Sequence, residues 1–146
     1  MKGDFIMQFF YILQDSKLLK VLLILVILDS IFGGLRAIRE RKFNSNLGID
    51  GLIRKFGMTI SVIFFMLIDF ILNINFIGFI PEEIRSFINF EDIGISVLFL
   101  VLFIIYESLS ILKNMIKCKL PIPKKLQSAL EKMFQKYTTE LNERKD

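Results

Sequence analysis

Three apolar blocks, each close to the length needed to cross a bilayer and each bounded by charge, constrain this chain more than any other feature. The first runs from about Leu18 to Leu35, interrupted by Lys20 near its start and Asp29 within it. It meets the roughly 20 residues of a membrane-spanning helix provided Lys20 turns its ammonium back to the headgroups. The second, Phe56 to Ile80, is about 25 residues and holds Asp69 as its single ionisable group. The third, Ile93 to Leu112, is almost wholly Val, Leu, Ile and Phe until Tyr106-Glu107-Ser108, and it stops at Lys113. Hydrocarbon leaves no backbone N–H or C=O without an internal partner, so such blocks cross as helices. The expected fold is an all-α membrane protein with three transmembrane helices at 18–35, 56–80 and 93–112.

Charge placement sets the expected orientation. The connection 36–55 carries Arg36, Arg39, Arg41, Lys42, Arg54 and Lys55 against Glu40 and Asp50. Cytoplasmic connections are the basic ones, so this segment is predicted inside. The connection 81–92 holds Glu82, Glu83, Glu91 and Asp92 against Arg85 and is predicted outside. The tail 113–146 is basic, with Lys113, Lys117, Lys124 and Lys125 in its first part, and returns to the cytoplasm. The topology is then N-out/C-in. The first group of arginines with Lys42 and these four lysines forms the basic set expected at the membrane surface.

At either end the chain departs from the simple span. Lys2 precedes an apolar run from Phe5 to Leu13, but the small-residue cleavage pattern of a signal peptide is missing. Segment 1–17 is read as uncleaved, lying in the interface or extending the first span. In the tail, Leu120-Pro121-Ile122-Pro123 breaks the helix, because proline lacks an N–H and clashes with the preceding turn. Beyond it Leu126, Leu130, Met133, Phe134, Tyr137 and Leu141 recur at helical spacing among lysines. That pattern predicts a basic amphipathic helix suited to an anionic leaflet or a partner helix. The whole is one unit of 146 residues without a separable linker.

Chemistry finds little to work with. One cysteine, Cys118, and no histidine exclude an internal disulfide and any His-based catalyst or metal site. No glycine-rich phosphate loop or nucleophile with its base can be assembled. No enzyme, cofactor, metal or nucleic-acid partner is expected.

The ionisable residues inside the spans are more telling. Asp29, Asp69 and Glu107 put one carboxylate in each span, and a central Asp costs about 2.5–3.5 kcal/mol on insertion scales. Such groups face protein or water rather than lipid. Asp29 and Glu107 are predicted at one level, roughly 8–10 Å from the cytoplasmic helix ends, with Asp69 near the midplane. Arg36, Lys55 and Lys113 are candidate partners. In the first span Asp29, Gly33 and Ala37 recur every four residues beside Ser30 and Gly34, a small-residue face that lets helices approach. Asp69 and Asn73 share a face of the second span and are candidates for an interhelical hydrogen-bond network. Static pairing in a monomeric bundle is the plain alternative to an assembly role for all of these.

Three segments resemble the toxin-secretion/phage-lysis holin family. The first is Asp29, Gly33 and Ala37 with the loop Asn44-Ser45, Gly48, Gly51-Leu52 and Arg54-Lys55. The second is Asp69, and the third runs from Tyr106-Glu107-Ser108 through Ser110 to Lys113-Asn114 and on to Leu120-Pro121-Ile122-Pro123-Lys124-Lys125-Leu126. The family usually has Asn at the position of Tyr106 and Glu at that of Lys113. Lys113 suits a helix C-terminus facing the cytoplasm. The resemblance implies a protein that gathers in the bacterial cytoplasmic membrane, forms homo-oligomers and opens lesions that release an endolysin or a toxin. Ser110 and Asn114 join the expected packing set on this basis. Met7 offers a second start whose product would lack Lys2 and Asp4. Competing readings are a scaffold or accessory subunit of a larger membrane complex and a small ion or solute conduit.

Overall fold

Each apolar block becomes a helix whose ends are decided by capping groups rather than by where hydrophobicity stops. The computed structural model describes residues 2–41, 45–86 and 92–143, with side chains over 4–41, 48–86 and 92–133. Among these residues the regular structure is entirely helical.

The first helix, α1 (Lys2–Asp15), is separated from α2 (Lys17–Arg39) by Ser16. The Ser16 backbone is extended (ψ 104°) and its hydroxyl accepts from the Leu19 N–H at 3.3 Å. A serine N-cap satisfies one of the orphan amides of a helix start, so a new helix begins there. α1 is therefore not a continuation of α2. It lays Phe5 and Phe9 on Phe70, with ring centroids 5.0 and 6.0 Å apart.

The helix of the second block, α3 (Ser45–Leu72), starts well before Phe56 and stops well short of Ile80. Together α2 and α3 take up most of 36–55, the segment expected to be a loop. The stop comes from Asn73, which adopts a left-handed backbone (φ 51°) while the Ile74 N–H reaches back to the Asp69 carbonyl at 3.1 Å. That is a Schellman closure, and asparagine is the residue after glycine that tolerates it best. Apolar content alone could not signal this end.

The apolar residues beyond it fold into the connection between the second and third long helices instead of a span. A 3-10 turn (Ile77–Phe79) and the short α4 (Glu82–Arg85) are tied down by polar groups. The Asn75 amide oxygen accepts from the Ile77 and Ile93 N–H groups at 2.9 and 3.2 Å, and its amide nitrogen donates to Asp92. Arg85 donates to the Ile77 and Ile80 carbonyls at 3.0 and 3.1 Å.

The third long helix, α5 (Ile95–Lys117), ends like α3, with Lys119 left-handed (φ 52°) and the Leu120 N–H on the Met115 carbonyl at 3.1 Å. After the proline break comes α6 (Lys124–Glu143). Leu130 on α6 is buried and Leu126 is exposed; the side chains of Phe134, Tyr137 and Leu141 lie outside those described.

Packing fixes the relative directions. Leu19 and Leu22 of α2, Val62 and Met66 of α3 and Leu100 of α5 form one buried cluster. Farther along, Asp29 of α2 meets Asn114 of α5 and Lys55 of α3. Numbers rise together on α2 and α5 and fall on α3, so α2 and α5 are parallel and α3 is antiparallel to both. α5 packs most closely on α2, whereas the backbones of α2 and α3 approach each other at few points and are bridged by the Lys55 side chain.

The outside is the reverse of a soluble bundle. In the most apolar window of α2, α3 and α5 only 17%, 11% and 17% of residues are buried inside the protein. Ile24, Ile27, Phe64, Leu98 and Leu102 all face outward. Water would not hold so much contiguous apolar surface; lipid does.

Candidate functional site

A polar cluster sits where the three long helices converge, and Lys55 is its centre. The Lys55 ammonium lies 2.9 Å from Asp29 Oδ2 and 3.9 Å from Glu107 Oε2. It also donates to Ser30 Oγ at 2.8 Å and to the Val26 carbonyl at 3.2 Å. The Ser30 hydroxyl itself donates to that same carbonyl at 2.7 Å. On the α5 side Asn114 Nδ2 donates to Asp29 Oδ1 at 2.9 Å, and Arg36 Nη1 donates to Asn114 Oδ1 at 3.0 Å. Asp29, Glu107 and Asn114 are all buried.

Charge balances within this group: Arg36 and Lys55 stand against Asp29 and Glu107. A buried charge needs a partner with good geometry, and Asp29 has one in Lys55 and a hydrogen bond from Asn114. Glu107 is less well served. It is only 1% exposed, Lys55 lies beyond hydrogen-bonding distance, and neither carboxylate oxygen receives a hydrogen bond. A buried acceptor without a donor is costly, so Glu107 is the less satisfied of the two carboxylates.

Asp29 and Glu107 both pack about Lys55, and both lie farther from their helix ends than the apolar blocks implied. Each lies ten residues before the end of its helix, Arg39 and Lys117, or about 15 Å along the axis. The difference arises because α2 and α5 continue past Leu35 and Leu112.

Asp69 occupies a different place from the one expected. It is three residues from the end of α3, not at mid-span, and accepts from the Ile95 and Ser96 N–H groups at 2.9 and 2.8 Å. It thus caps α5 from another helix, matching an anion to the positive end of the helix dipole. Gly94 makes room for it; a Cβ there would be driven into the Asp69 carboxylate. Asn73 forms no network with Asp69 and serves instead as the left-handed stop of α3.

The small residues of α2 also act otherwise than a close-packing face would. A Cβ on Gly33 would meet only Asn114 Nδ2, at an ordinary 3.8 Å, and one on Gly34 would meet nothing within 4 Å. Gly33, Gly34 and Ala37, with Gly48 and Gly51 of α3, instead line a cleft of about 680 Å³ between α2, α3 and α5. The missing side chains are what make it. Ser110 is half-buried on its wall. Arg54 and Lys113 line it as well and are exposed.

Among the basic residues expected at the surface, Arg39, Arg41, Lys117, Lys124 and Lys125 are exposed, while Arg36 is drawn into the cluster. Lys42 lies outside the described residues. Gly94 as the seat of a cap and the Asn75–Asp92 pair were not singled out from sequence. An isolated glycine just before an apolar block was the available signal for the former.

Three apolar helices long enough to cross a bilayer, packed around a buried charged cluster, define a helical membrane protein. The chain matches the bacteriophage holin family over residues 6–135, nearly its whole length, and it belongs to that family. It is a multi-pass protein of the cytoplasmic membrane, in a family of membrane proteins not known as enzymes. It is 39% identical over 130 residues to the holin-like protein TcdE of Clostridioides difficile, an alignment that spans 89% of this chain and 78% of that protein. No solved structure matches.

Proposed function

We propose that this holin oligomerises in the cytoplasmic membrane, N-terminus out and C-terminus in, and opens lesions that let an endolysin or a toxin leave the cell. The observation that carries this reading is the Lys55-centred cluster. A bundle whose outer surface is apolar hides a line of charge and hydrogen-bonding groups on the inner faces of its three long helices. Intramembrane ionisable residues face protein or water. Rotating α3 away from α2, the long helices whose backbones approach least, turns the same groups toward a water-filled opening between copies. Glu107 supports this direction of change, since hydration supplies the donors its oxygens lack.

The test is induced expression of the full chain in a bacterium carrying a potential-sensitive dye and a cytoplasmic wall hydrolase. The expected outcome is an abrupt loss of membrane potential followed by hydrolase-dependent lysis, with homo-oligomers captured by crosslinking. Accumulation in the membrane without depolarisation would refute the proposal.

A further inference from the structure

The glycine-lined cleft has the size and lining of a space for water. Of its eighteen lining residues, ten carry a charged or hydrogen-bonding side chain and five are Gly or Ala. Its volume of about 680 Å³ has room for on the order of twenty waters at about 30 Å³ each. Water occupies a cavity that is roomy and polar, and leaves an apolar one dry. Glu107 forms part of the wall, only 1% exposed, and neither of its oxygens has a donor. The charges that act on it are Lys55, Asp29 and Arg54, and the nearest, Lys55, is 3.9 Å away and held closer by Asp29 at 2.9 Å. A carboxylate so placed draws water into the cavity it borders. A lipid chain finds its match instead in the adjoining groove, where Leu23, Val26, Ile53 and Phe56 supply an apolar wall.

Along the helices the cleft has a polar mouth and an apolar floor. It reaches Ala37 on α2 and Gly48 on α3, close to the exposed Arg39 and Arg41. Its deep end is marked by Met58, ten residues or about 15 Å from Gly48 along α3. One turn farther comes Val62 of the apolar cluster. Leu22 and Leu100 of that cluster lie seven residues beyond Asp29 and Glu107 on their own helices, about 10 Å in each case. Leu22 and Val62 are 0% exposed and Leu100 1%, so this layer offers water neither space nor partners.

We infer that in a single, closed protomer the cleft is a water-filled vestibule, entered from the side where α2 and α5 end and floored by the layer of Leu22, Val62 and Leu100. This deepens the lesion reading and rests on it in one respect: a lesion is then the enlargement of an aqueous cleft already present, not the wetting of a dry interior. The vestibule itself needs only the packing of the three long helices, and it is tested where no lesion can form.

The experiment uses the full-length protein with Cys118→Ser, reconstituted at one copy per lipid nanodisc, which leaves both membrane faces open to solvent and excludes oligomers. Single cysteines are introduced and treated with a water-soluble, lipid-insoluble methanethiosulfonate, with the adduct read by intact mass. Gly33→Cys, Gly51→Cys, Ser110→Cys and Met58→Cys probe the cleft, Ile31→Cys the lipid-facing side of α2 and Val62→Cys the floor. A Cβ on Gly51 meets nothing within 4 Å and one on Gly33 meets only Asn114 at 3.8 Å; Ser110→Cys is the smallest change and keeps the test valid should a glycine variant fail to insert. Thiols react as thiolates, which hydrocarbon does not sustain, so the four cleft positions are expected to react at least about tenfold faster than Ile31→Cys, with Val62→Cys silent. Ile31 is two residues, about 3 Å, from Gly33 along the axis, so a difference between them reports the face and not the depth. Cleft positions as slow as Ile31→Cys overturn the inference, leaving the depolarisation result to decide the lesion reading by itself. Equally fast labelling of Val62→Cys also overturns it, because water would then pass the apolar layer.

Discussion

Removing the Lys55 ammonium strands two carboxylates at once, because Asp29 and Glu107 draw on the same cation. Breaking a buried pair on one side costs about 3–5 kcal/mol, whereas replacing all members by apolar residues of similar size is often neutral. Lys55→Leu is therefore expected to lower stability in micelles by that amount, and Lys55→Leu with Asp29→Leu and Glu107→Leu to recover most of it. Denaturant titration followed by circular dichroism checks both, and equal stability of the single and triple variants would contradict the ion-pair account. If the cluster also restrains lesion formation, Lys55→Leu should depolarise cells earlier than the wild type at equal protein level.

The helices depend on groups that lie outside them. α5 starts where it does because Asp69, on α3, accepts its first two amides. Gly94→Ala should displace that carboxylate and cost about 1 kcal/mol or more, the usual range for a lost N-cap being roughly 0.5–2 kcal/mol. Faster hydrogen exchange at the Ile95 and Ser96 amides would be the local signature, and unchanged exchange would show that the cap is dispensable. At the same end of α3, Asn73 holds a left-handed backbone that β-branched residues resist. Asn73→Val is expected to destabilise by about 1–2 kcal/mol and Asn73→Gly to be near neutral.

For the molecule as a whole, the testable property is which side each connection faces. Cys118 is the single cysteine, so a Cys118→Ser background gives a silent starting point. In it, Glu83→Cys is expected to react with an impermeant thiol reagent on intact cells, and Lys124→Cys only after permeabilisation. The reverse pattern would invert the orientation argued from Arg36, Arg39, Arg41 and the tail lysines.

Hydropathy and charge were enough to read three spans and the need of Asp29 and Glu107 for partners away from lipid, because these follow from the cost of placing polar groups in hydrocarbon. They could not locate the helix ends. Those rest on the left-handed backbones at Asn73 and Lys119 and on the Ser16 cap, where one hydrogen bond outweighs the local run of apolar residues. Nor could they choose among Arg36, Lys55 and Lys113 for the centre of the cluster. That depended on the antiparallel α3 bringing Lys55 to the level of Asp29, Glu107 and Asn114. The same packing turned Asp69 from a member of the polar seam into a cap, and made a cleft of glycines that read as a contact face. A carboxylate announces that it needs a partner; which partner it finds is decided by the relative shift and rotation of helices distant in the chain.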